Sequence, residues 1–420
     1  MQHQSREHIN INLKVGKGAP SYLYRIIEDA LTKGITTFKI RIKSPEKGIY
    51  PNFCVPIAGI IKYFEDNRSC SFLSSKSLDE KHYAGRVGIL HPCSNTESLK
   101  KNCFLDKVLL FNRDNQYQVV EGIRSSLQQS AVMQKGILNC IELCLNEVMD
   151  NVLVHSCSGH DNVSPYGLVM AQVHTSGNRI AIAVYDNGVG MMRSLQNGGI
   201  AIDNPKEAIS SALQKGITDG RGKGNGLWLL NEIVKEGRGS LEITSNGVRY
   251  SLWHQQFSDE QAYPKGSFSK ISSTTSRATL VDFQICTDEA VNINRIMGKC
   301  DFVDLWKENH EDLENEFDHR LSVLNDSAGL GTRYDASGLR MLALNTMSDT
   351  DGYVILDFSG IEIISFSFAD EAIRKLRDIV GIETFTARFR LTGLNDNCRT
   401  IINLVMDDSM CSNSKQAHGN

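Results

Sequence analysis

Three short segments of this chain carry the residue types that a nucleotide site requires. Glu147–Asn151 puts a carboxylate and a carboxamide four residues apart, on one face of a helix. Asp186–Gly190 is an aspartate-initiated glycine turn after a strand-like run, and Gly222–Leu227 is a glycine-rich loop that leads into an apolar, helix-like run. Taken alone, Asp186–Gly190 is as compatible with a plain turn as with a binding site, and Glu147 and Asn151 are as compatible with a solvated helix face. Their order and spacing predict one nucleotide site.

Asp186 and the glycines that follow it suit a purine base. A carboxylate at the end of a strand can accept a hydrogen bond from an exocyclic amine such as the adenine amino group. Gly188 and Gly190 remove side chains that would keep the backbone away from a flat base. This segment is therefore the candidate for base recognition.

The other two segments suit phosphate and a metal ion. Glycines before a helix expose backbone N–H groups where phosphate is favoured, and a lysine among them can add positive charge or be a plain loop charge. Asn151 offers a neutral oxygen to Mg²⁺. Glu147, one turn earlier, is placed to orient or deprotonate the water or hydroxyl that attacks the γ-phosphate. The candidates in the glycine loop are Gly222, Lys223, Gly224, Gly226 and Leu227.

These segments resemble the signature of the GHKL superfamily, which includes gyrase, the Hsp90 chaperones, histidine kinases, MutL and the anti-sigma-factor kinases. Glu147–Asn151 resembles the N box, Asp186–Gly190 the first glycine box and Gly222–Leu227 the second. Residues 191–221 then correspond to the lid that closes over ATP. The resemblance covers roughly residues 115–287. It implies an ATP- and Mg²⁺-binding domain.

A further family feature is a threonine before the closing strand, which Thr279 resembles here, with Ala278 where glycine is commoner. The fold that the resemblance implies is α/β (α+β): a central Bergerat sandwich of helices on a mixed sheet, flanked by smaller α/β domains. Many members dimerise when ATP closes the lid, so a homodimer through the N-terminal region is a further expectation.

Periodicity and composition divide the rest of the chain. In the N-terminal segment, Tyr22–Leu31 and Val55–Phe64 have helical spacing and Thr36–Ile42 alternates as a strand. Gly16–Gly18 is a turn, because the Walker pattern is absent. The predicted segments are an N-terminal α/β domain with a faint STAS-like pattern (1–112), the ATP domain (113–287), a linker (288–309), a second α/β domain (310–408) and a disordered tail (409–420).

Residues 310–408 resemble a STAS-like domain, the fold of anti-sigma-factor antagonists, which occurs fused to or encoded beside GHKL proteins. Val354–Gly360 reads as a buried strand and turn, and Thr384–Leu391 as another strand. Between them, Ser365 and Ser367 precede a predicted helix over 371–379. Each serine could be a helix N-cap or a phosphosite, and Ser367 is the better cap because Asp370 stands at the capping-box position.

Three functions fit this combination. The first is an ATP-hydrolysing regulator whose lid closure controls how a protein partner engages the STAS-like domain. The others are a serine kinase acting on a STAS-like domain in cis or in trans, and an ATP-sensing module without turnover. A net charge of −4 and a pI near 6.3 indicate no nucleic acid or anionic membrane as partner. No membrane span or signal peptide is evident, so the expected location is cytoplasmic.

Overall fold

The structure is a computed structural model, and it describes residues 8–43, 49–96, 99, 103–155, 165–218, 224–253, 266–271, 278–298 and 317–407. These residues form the predicted mixed α/β fold. They divide into two compact units that are interleaved along the chain. The first lies within Met1–Gln134, Val152–Ile209 and Val234–Glu289, and the second within Lys135–Asn151, Ser210–Ile233 and Ala290–Asn420.

The first unit begins with a parallel three-stranded sheet in the order β1-β2-β3. Its strands are β1 (Ile9–Lys14), β2 (Thr37–Lys43) and β3 (Ser71–Ser74), and its helices are α1 (Ala19–Leu31), α2 (Pro51–Arg68) and α3 (Tyr83–Arg86). Proline at the start of α1 and α2 suits a helix, since the first N–H groups have no intrahelical partner. The two helices and the strand predicted in this region are confirmed.

A seven-stranded antiparallel sheet forms the centre of this unit, in the order β4-β5-β6-β10-β7-β8-β9. Helix α4 (Gln116–Ser130) also belongs to the first unit. The strands are β4 (Leu109–Phe111), β5 (Gly167–His174), β6 (Arg179–Asp186), β7 (Ser240–Ser245), β8 (Val248–Trp253), β9 (Ser267–Lys270) and β10 (Thr279–Cys286). β10 pairs with β6 on one side and β7 on the other, so residues far apart in sequence meet at its start.

Helix α2 packs directly on this sheet. A Cβ on Gly59 would lie 2.1 Å from Cε1 of Tyr185, so only glycine allows α2 to approach β6 this closely. A polar link lies nearby: the Asn52 amide donates to Asp282 at 3.0 Å, and Lys17 pairs with Glu242, which is opposite Asp282 across the β7–β10 pair. Beside these groups is a cavity of about 370 Å³.

The polar, serine-rich sequence of Ser251–Ser276 predicts a loop or insertion between the last strands, and this prediction is wrong for the described residues of the stretch. Ser251–Trp253 complete β8, and Ser267–Lys270 form β9 at the sheet edge. The sequence of β9 shows no hydrophobic alternation that would predict a strand, and none of its residues is fully buried. Backbone pairing with β8 and the tilted contact of Phe268 with Tyr250, at 5.2 Å between ring centroids, hold it in place.

The predicted lid contains two helices, α6 (Met191–Asn197) and α7 (Pro205–Ala212). The sequence predicts a helix over Asn204–Lys215, because Asn-Pro is a plausible helix start. Asn204 caps it as expected, because its Oδ1 accepts the Glu207 N–H at 3.0 Å. The helix ends at Ala212, however, so Lys215 lies outside it. Lys215 places its Nζ over the Trp228 ring, 4.8 Å from the centroid.

The second unit contains the first part of α5 (Ile137–His155), most of α8 (Gly226–Glu236) and a parallel sheet in the order β11-β12-β13. Its strands are β11 (His319–Ser322), β12 (Val354–Asp357) and β13 (Phe389–Thr392). Its remaining helices are α9 (Ile293–Met297), α10 (Val323–Asp326), α11 (Arg333–Asp349), α12 (Phe366–Ala369), α13 (Lys375–Val380), α14 (Ile382–Arg388) and α15 (Asp396–Met406). A π-turn over Asp370–Arg374 joins α12 to α13, which makes residues 366–380 one helical stretch.

The strand predicted over Thr384–Leu391 is wrong in its first half. Residues up to Arg388 belong to α14, and only Phe389–Thr392 form a strand. Phe385 and Phe389 are four residues apart, and their rings stack at 5.5 Å. Alternating apolar residues favour a strand, but a spacing of four residues between the two phenylalanines also fits a helical turn, and the chain is helical up to Arg388.

Among the helices of the described ranges, none combines the length and apolar character needed to cross a membrane. All eight cysteines in those ranges are free, and six of them are buried. The linker predicted over 288–309 contains α9, while the tail 409–420 lies outside the described residues.

Candidate functional site

In the first unit, Asp186 is a buried carboxylate at the end of β6, with 7% of its surface exposed. Its Oδ1 accepts the Gly188 N–H at 2.6 Å. Thr279 stands opposite it in the β6–β10 pair and donates through both its N–H and its hydroxyl. Burial raises the pKa of Asp186 to about 7, and these hydrogen bonds act in the opposite direction. The structure thus brings together two residues singled out in the sequence.

The two glycines after Asp186 are required by close approach. A Cβ on Gly188 would lie 2.8 Å from Asp186 Oδ1 and 3.0 Å from the His155 carbonyl oxygen. Gly190 has φ +79°, and a Cβ there would lie 2.5 Å from Oδ1 of Asn246. Both glycines are therefore required by contacts within the protein, Gly188 beside the Asp186 carboxylate and Gly190 beside the Asn246 side chain.

Two polar residues of this cluster were missed. Oγ of Ser245 accepts the Met191 N–H at 3.0 Å, and Oδ1 of Asn246 accepts the Met192 N–H at 3.2 Å. Asn246-Gly247 is a two-residue hairpin turn with positive φ at both positions. That dipeptide signals a hairpin in sequence. It carries no signal of contact with α6, because the contact is between residues more than fifty positions apart.

In the second unit, Glu147 lies on α5 with 4% of its surface exposed. Its Oε1 accepts the backbone N–H of Ser367 at 3.2 Å, and the Phe366 N–H also donates to the carboxylate. Burial, followed by the charge of Asp150, raises the pKa of Glu147 to about 7, while Arg333 and the two N–H groups oppose the rise. The N-terminus of the stretch 366–380 thus binds this carboxylate, as helix N-termini favour anions.

Two neighbours of Glu147 on α5 also contact the C-terminal segment, by which we mean residues 317–407. Asp150 Oδ2 accepts a hydrogen bond from Arg333 Nη1 at 2.5 Å. Gly331 packs against Asn146 so closely that a Cβ would lie 1.9 Å from Oδ1 of Asn146. One face of α5, formed by Asn146, Glu147 and Asp150, is therefore covered by this segment.

The described part of the second glycine loop also lies in this unit. Gly226 begins α8, and a Cβ there would lie 2.6 Å from Glu147 Oε2. Gly224 has φ +66°, a conformation that favours glycine. Asn151 and Leu227 are half-buried. Gly222 and Lys223 lie outside the described residues.

Asn225, which the sequence reasoning passed over, lies between the two described glycines of this loop. The residue is 6% exposed, and its Oδ1 is buried without a hydrogen-bond partner among the described residues. A buried oxygen without a donor is costly in a folded protein. The position therefore suits a group that donates to it or coordinates it.

The structure distinguishes the two serines. Ser365 is the N-cap: its Oγ accepts the Phe368 N–H at 2.9 Å and donates to the Gly331 carbonyl at 2.7 Å. The assignment of Ser367 as the better cap is wrong, because Ser367 is already inside the helix while Ser365 has the extended backbone of a cap. Asp370 does not complete a capping box, and pairs with Arg374 instead.

Residues 339–398 match the family described as "STAS-like domain of unknown function (DUF4325)". The match contains β12, the helical stretch 366–380 and β13, and it confirms the STAS-like resemblance for this part of the chain. No curated protein matches the chain.

Proposed function

We propose that this chain is an ATP- and Mg²⁺-binding regulator of the GHKL type, which hydrolyses ATP and engages a protein partner through its STAS-like domain. The arrangement of Asp186, Gly188 and Thr279 is the observation that carries this proposal. Burying a carboxylate is costly unless it is well bonded or serves a ligand. Here it lies at a strand end, beside backbone that a side chain cannot cover, and it would accept the adenine amino group.

Taken by itself, the second unit contains groups suited to phosphate and to a metal ion. Asn151 would coordinate Mg²⁺, which prefers oxygen ligands and keeps several waters and phosphate oxygens. Gly224, Gly226 and the start of α8 would receive phosphate oxygens, as helix N-termini do. The Oδ1 of Asn225, which has no donor among the described residues, supports this assignment, because a water molecule bound to the cation would donate to it.

Glu147 would act as the general base. In the ionised form it accepts a proton from water as the water oxygen bonds to the γ-phosphorus and the bridging oxygen leaves with ADP. A base works best when its pKa is near the working pH, and burial brings the pKa of Glu147 to about 7. Mg²⁺, when bound, neutralises the charge that develops on the phosphate oxygens.

The experiment that tests this proposal compares two buried aspartates of the first unit. Asp186→Asn should weaken ATP–Mg²⁺ binding by about tenfold or more, measured by titration calorimetry, because an amide cannot match the carboxylate as an acceptor. Asp282→Asn is the matched control: Asp282 is also buried, and its pKa is also about 7, but it bonds to Asn52. If Asp186→Asn binds ATP as tightly as the parent, the assignment of base recognition is wrong.

A second candidate function is serine kinase activity on the STAS-like domain in cis. It is favoured by the 3.2 Å distance between Ser367 N and Glu147 Oε1, since the base then lies next to a serine. The Ser367 oxygen would bond to the γ-phosphorus, its proton would pass to Glu147, and ADP would leave. Ser365 is less suited, because its hydroxyl already bonds to Gly331 and Phe368.

Incubation with γ-labelled ATP and Mg²⁺ separates these functions. Free phosphate without label on the protein supports hydrolysis. Label that is lost in Ser367→Ala and kept in Ser365→Ala supports the kinase. ATP binding with neither product contradicts both and identifies an ATP-sensing module.

A further inference from the structure

We infer that the C-terminal segment restrains ATP turnover by capturing the Glu147 carboxylate at the N-terminus of its helical stretch 366–380. The inference rests on the proposed function, since it takes Glu147 to be the catalytic base. It adds a regulator to that base, formed by residues 330–333 and 365–367. We call these residues the clamp.

The Glu147 carboxylate lies between the N-terminus of the helical stretch and Gly226. One oxygen of Glu147 accepts the Ser367 N–H, and the Phe366 N–H also donates to the carboxylate. The other oxygen faces Gly226, where even a Cβ would lie only 2.6 Å away. A base needs a free lone pair and room for water within about 3 Å. With the clamp in place, Glu147 is committed to amide donors and has little room for the attacking water.

The clamp is anchored to α5 by an ion pair between Arg333 and Asp150. Arg333 pairs with Asp150, one helical turn after Glu147 on α5. The Asp150 side chain is 6% exposed and that of Arg333 is 20% exposed, so this ion pair is largely shielded from water. Gly331 packs on Asn146 of the same face. These contacts hold the clamp on α5 without involving the Glu147 carboxylate itself.

The two parts of the clamp are joined by hydrogen bonds, so they move together. Ser365 donates its N–H to the Leu330 carbonyl at 3.2 Å and its hydroxyl to the Gly331 carbonyl at 2.7 Å. The same hydroxyl caps the helix through Phe368. A force on the helical stretch is therefore transmitted to residues 330–333, and loss of the Arg333 anchor is transmitted to the N–H groups on Glu147.

The ion pair of Arg333 with Asp150 is suited to release. Arg333 Nε is buried and has no hydrogen-bond partner among the described residues. An ion pair with an unsatisfied donor is less favourable than a fully bonded one. Two of the contacts between the clamp and α5 are polar, the hydrogen bond from Ser367 to Glu147 and the ion pair of Arg333 with Asp150, which suits a surface that separates and re-forms. A protein partner that binds the helical stretch would thus free Glu147.

The test uses the full chain and two variants that leave Glu147 intact. Arg333→Ala removes the anchor, and Gly331→Ala places a methyl group 1.9 Å from Asn146 Oδ1. Both should raise kcat for phosphate release by about tenfold, with the Kd for ATP within about twofold of the parent. Arg340→Ala is the matched control, because Arg340 lies on the same helix and pairs with Glu371 at 2.9 Å inside the C-terminal segment. It should leave kcat unchanged.

Hydrogen exchange provides a readout that does not depend on turnover. The amides of Phe366 and Ser367 should exchange at least about tenfold faster in Arg333→Ala, and at the parental rate in Arg340→Ala, because their acceptor is withdrawn. Parental or lower kcat in both clamp variants, with normal ATP binding and unchanged exchange, overturns the inference. Absence of ATP binding in the parent overturns the proposed function as well, and so differs from failure of the clamp alone.

Discussion

Ser367 donates its backbone N–H to the carboxylate of Glu147 at 3.2 Å, across 220 positions of sequence. This contact joins the helix that carries the candidate base to the STAS-like part of the chain. A helix N-terminus stabilises negative charge on a buried carboxylate, and the carboxylate in turn accepts hydrogen bonds from the first N–H groups of the helix.

Replacement of Glu147 should separate catalysis from stability. Glu147→Gln is expected to abolish turnover and to retain ATP binding, because the amide keeps an acceptor oxygen but cannot take a proton. Glu147→Ala should also abolish turnover, and should lower the free energy of unfolding by about 1–3 kcal/mol, since it leaves buried N–H groups unpaired. Urea denaturation and phosphate release check the pair. Equal stability of the two variants would contradict the observed hydrogen bonds.

The stability of the protein should fall as pH rises from about 5 to about 7.5. Glu147, Asp186 and Asp282 all have pKa values raised by burial to about 7. In that window the folded state retains protons that the unfolded state has lost, so raising the pH favours unfolding. Each group contributes on the order of 1–3 kcal/mol.

Asp282→Asn tests this pH dependence without touching the candidate site. The variant should lose its share of the slope in a series of urea unfolding curves, because an amide does not titrate. A slope that is as steep in the variant as in the parent would exclude Asp282 as a titrating group.

Replacing Ser365 should lower the free energy of unfolding more than replacing Ser367, because Ser365 is the N-cap. Ser365→Ala removes the hydroxyl that bonds both Phe368 and Gly331, and should cost about 1–2 kcal/mol. Ser367→Ala keeps the backbone N–H on Glu147 and should cost less than about 1 kcal/mol. Thermal denaturation of the two variants gives the comparison. The reverse order would restore Ser367 as the cap.

Two glycines in helices should respond to alanine with opposite signs. Gly59→Ala forces a methyl group into the Tyr185 ring and should destabilise by about 1–3 kcal/mol. Gly338 is exposed on α11 with nothing within 4 Å of a Cβ, and Gly338→Ala should stabilise by about 0.4–1 kcal/mol. If both variants behave alike in chemical denaturation, the close packing of α2 on β6 is not as described.

Local sequence determined the elements whose pattern has one solution. The alternation of Phe38, Ile40 and Ile42 specifies a strand, and the spacing of Leu23, Ile27 and Ala30 specifies a helix, because burial must fall on one face. The STAS-like character of residues 339–398 was also predicted from the sequence.

Only the tertiary structure decided which of several local solutions is used and which distant residues meet. Ser365 and Ser367 are both acceptable caps in sequence, and the Leu330–Gly331 carbonyls select Ser365. The contact between Glu147 and Ser367 has no local signal at all. Hydrogen bonding and burial between segments far apart in sequence depend on the folded chain, so spacing alone cannot reveal them.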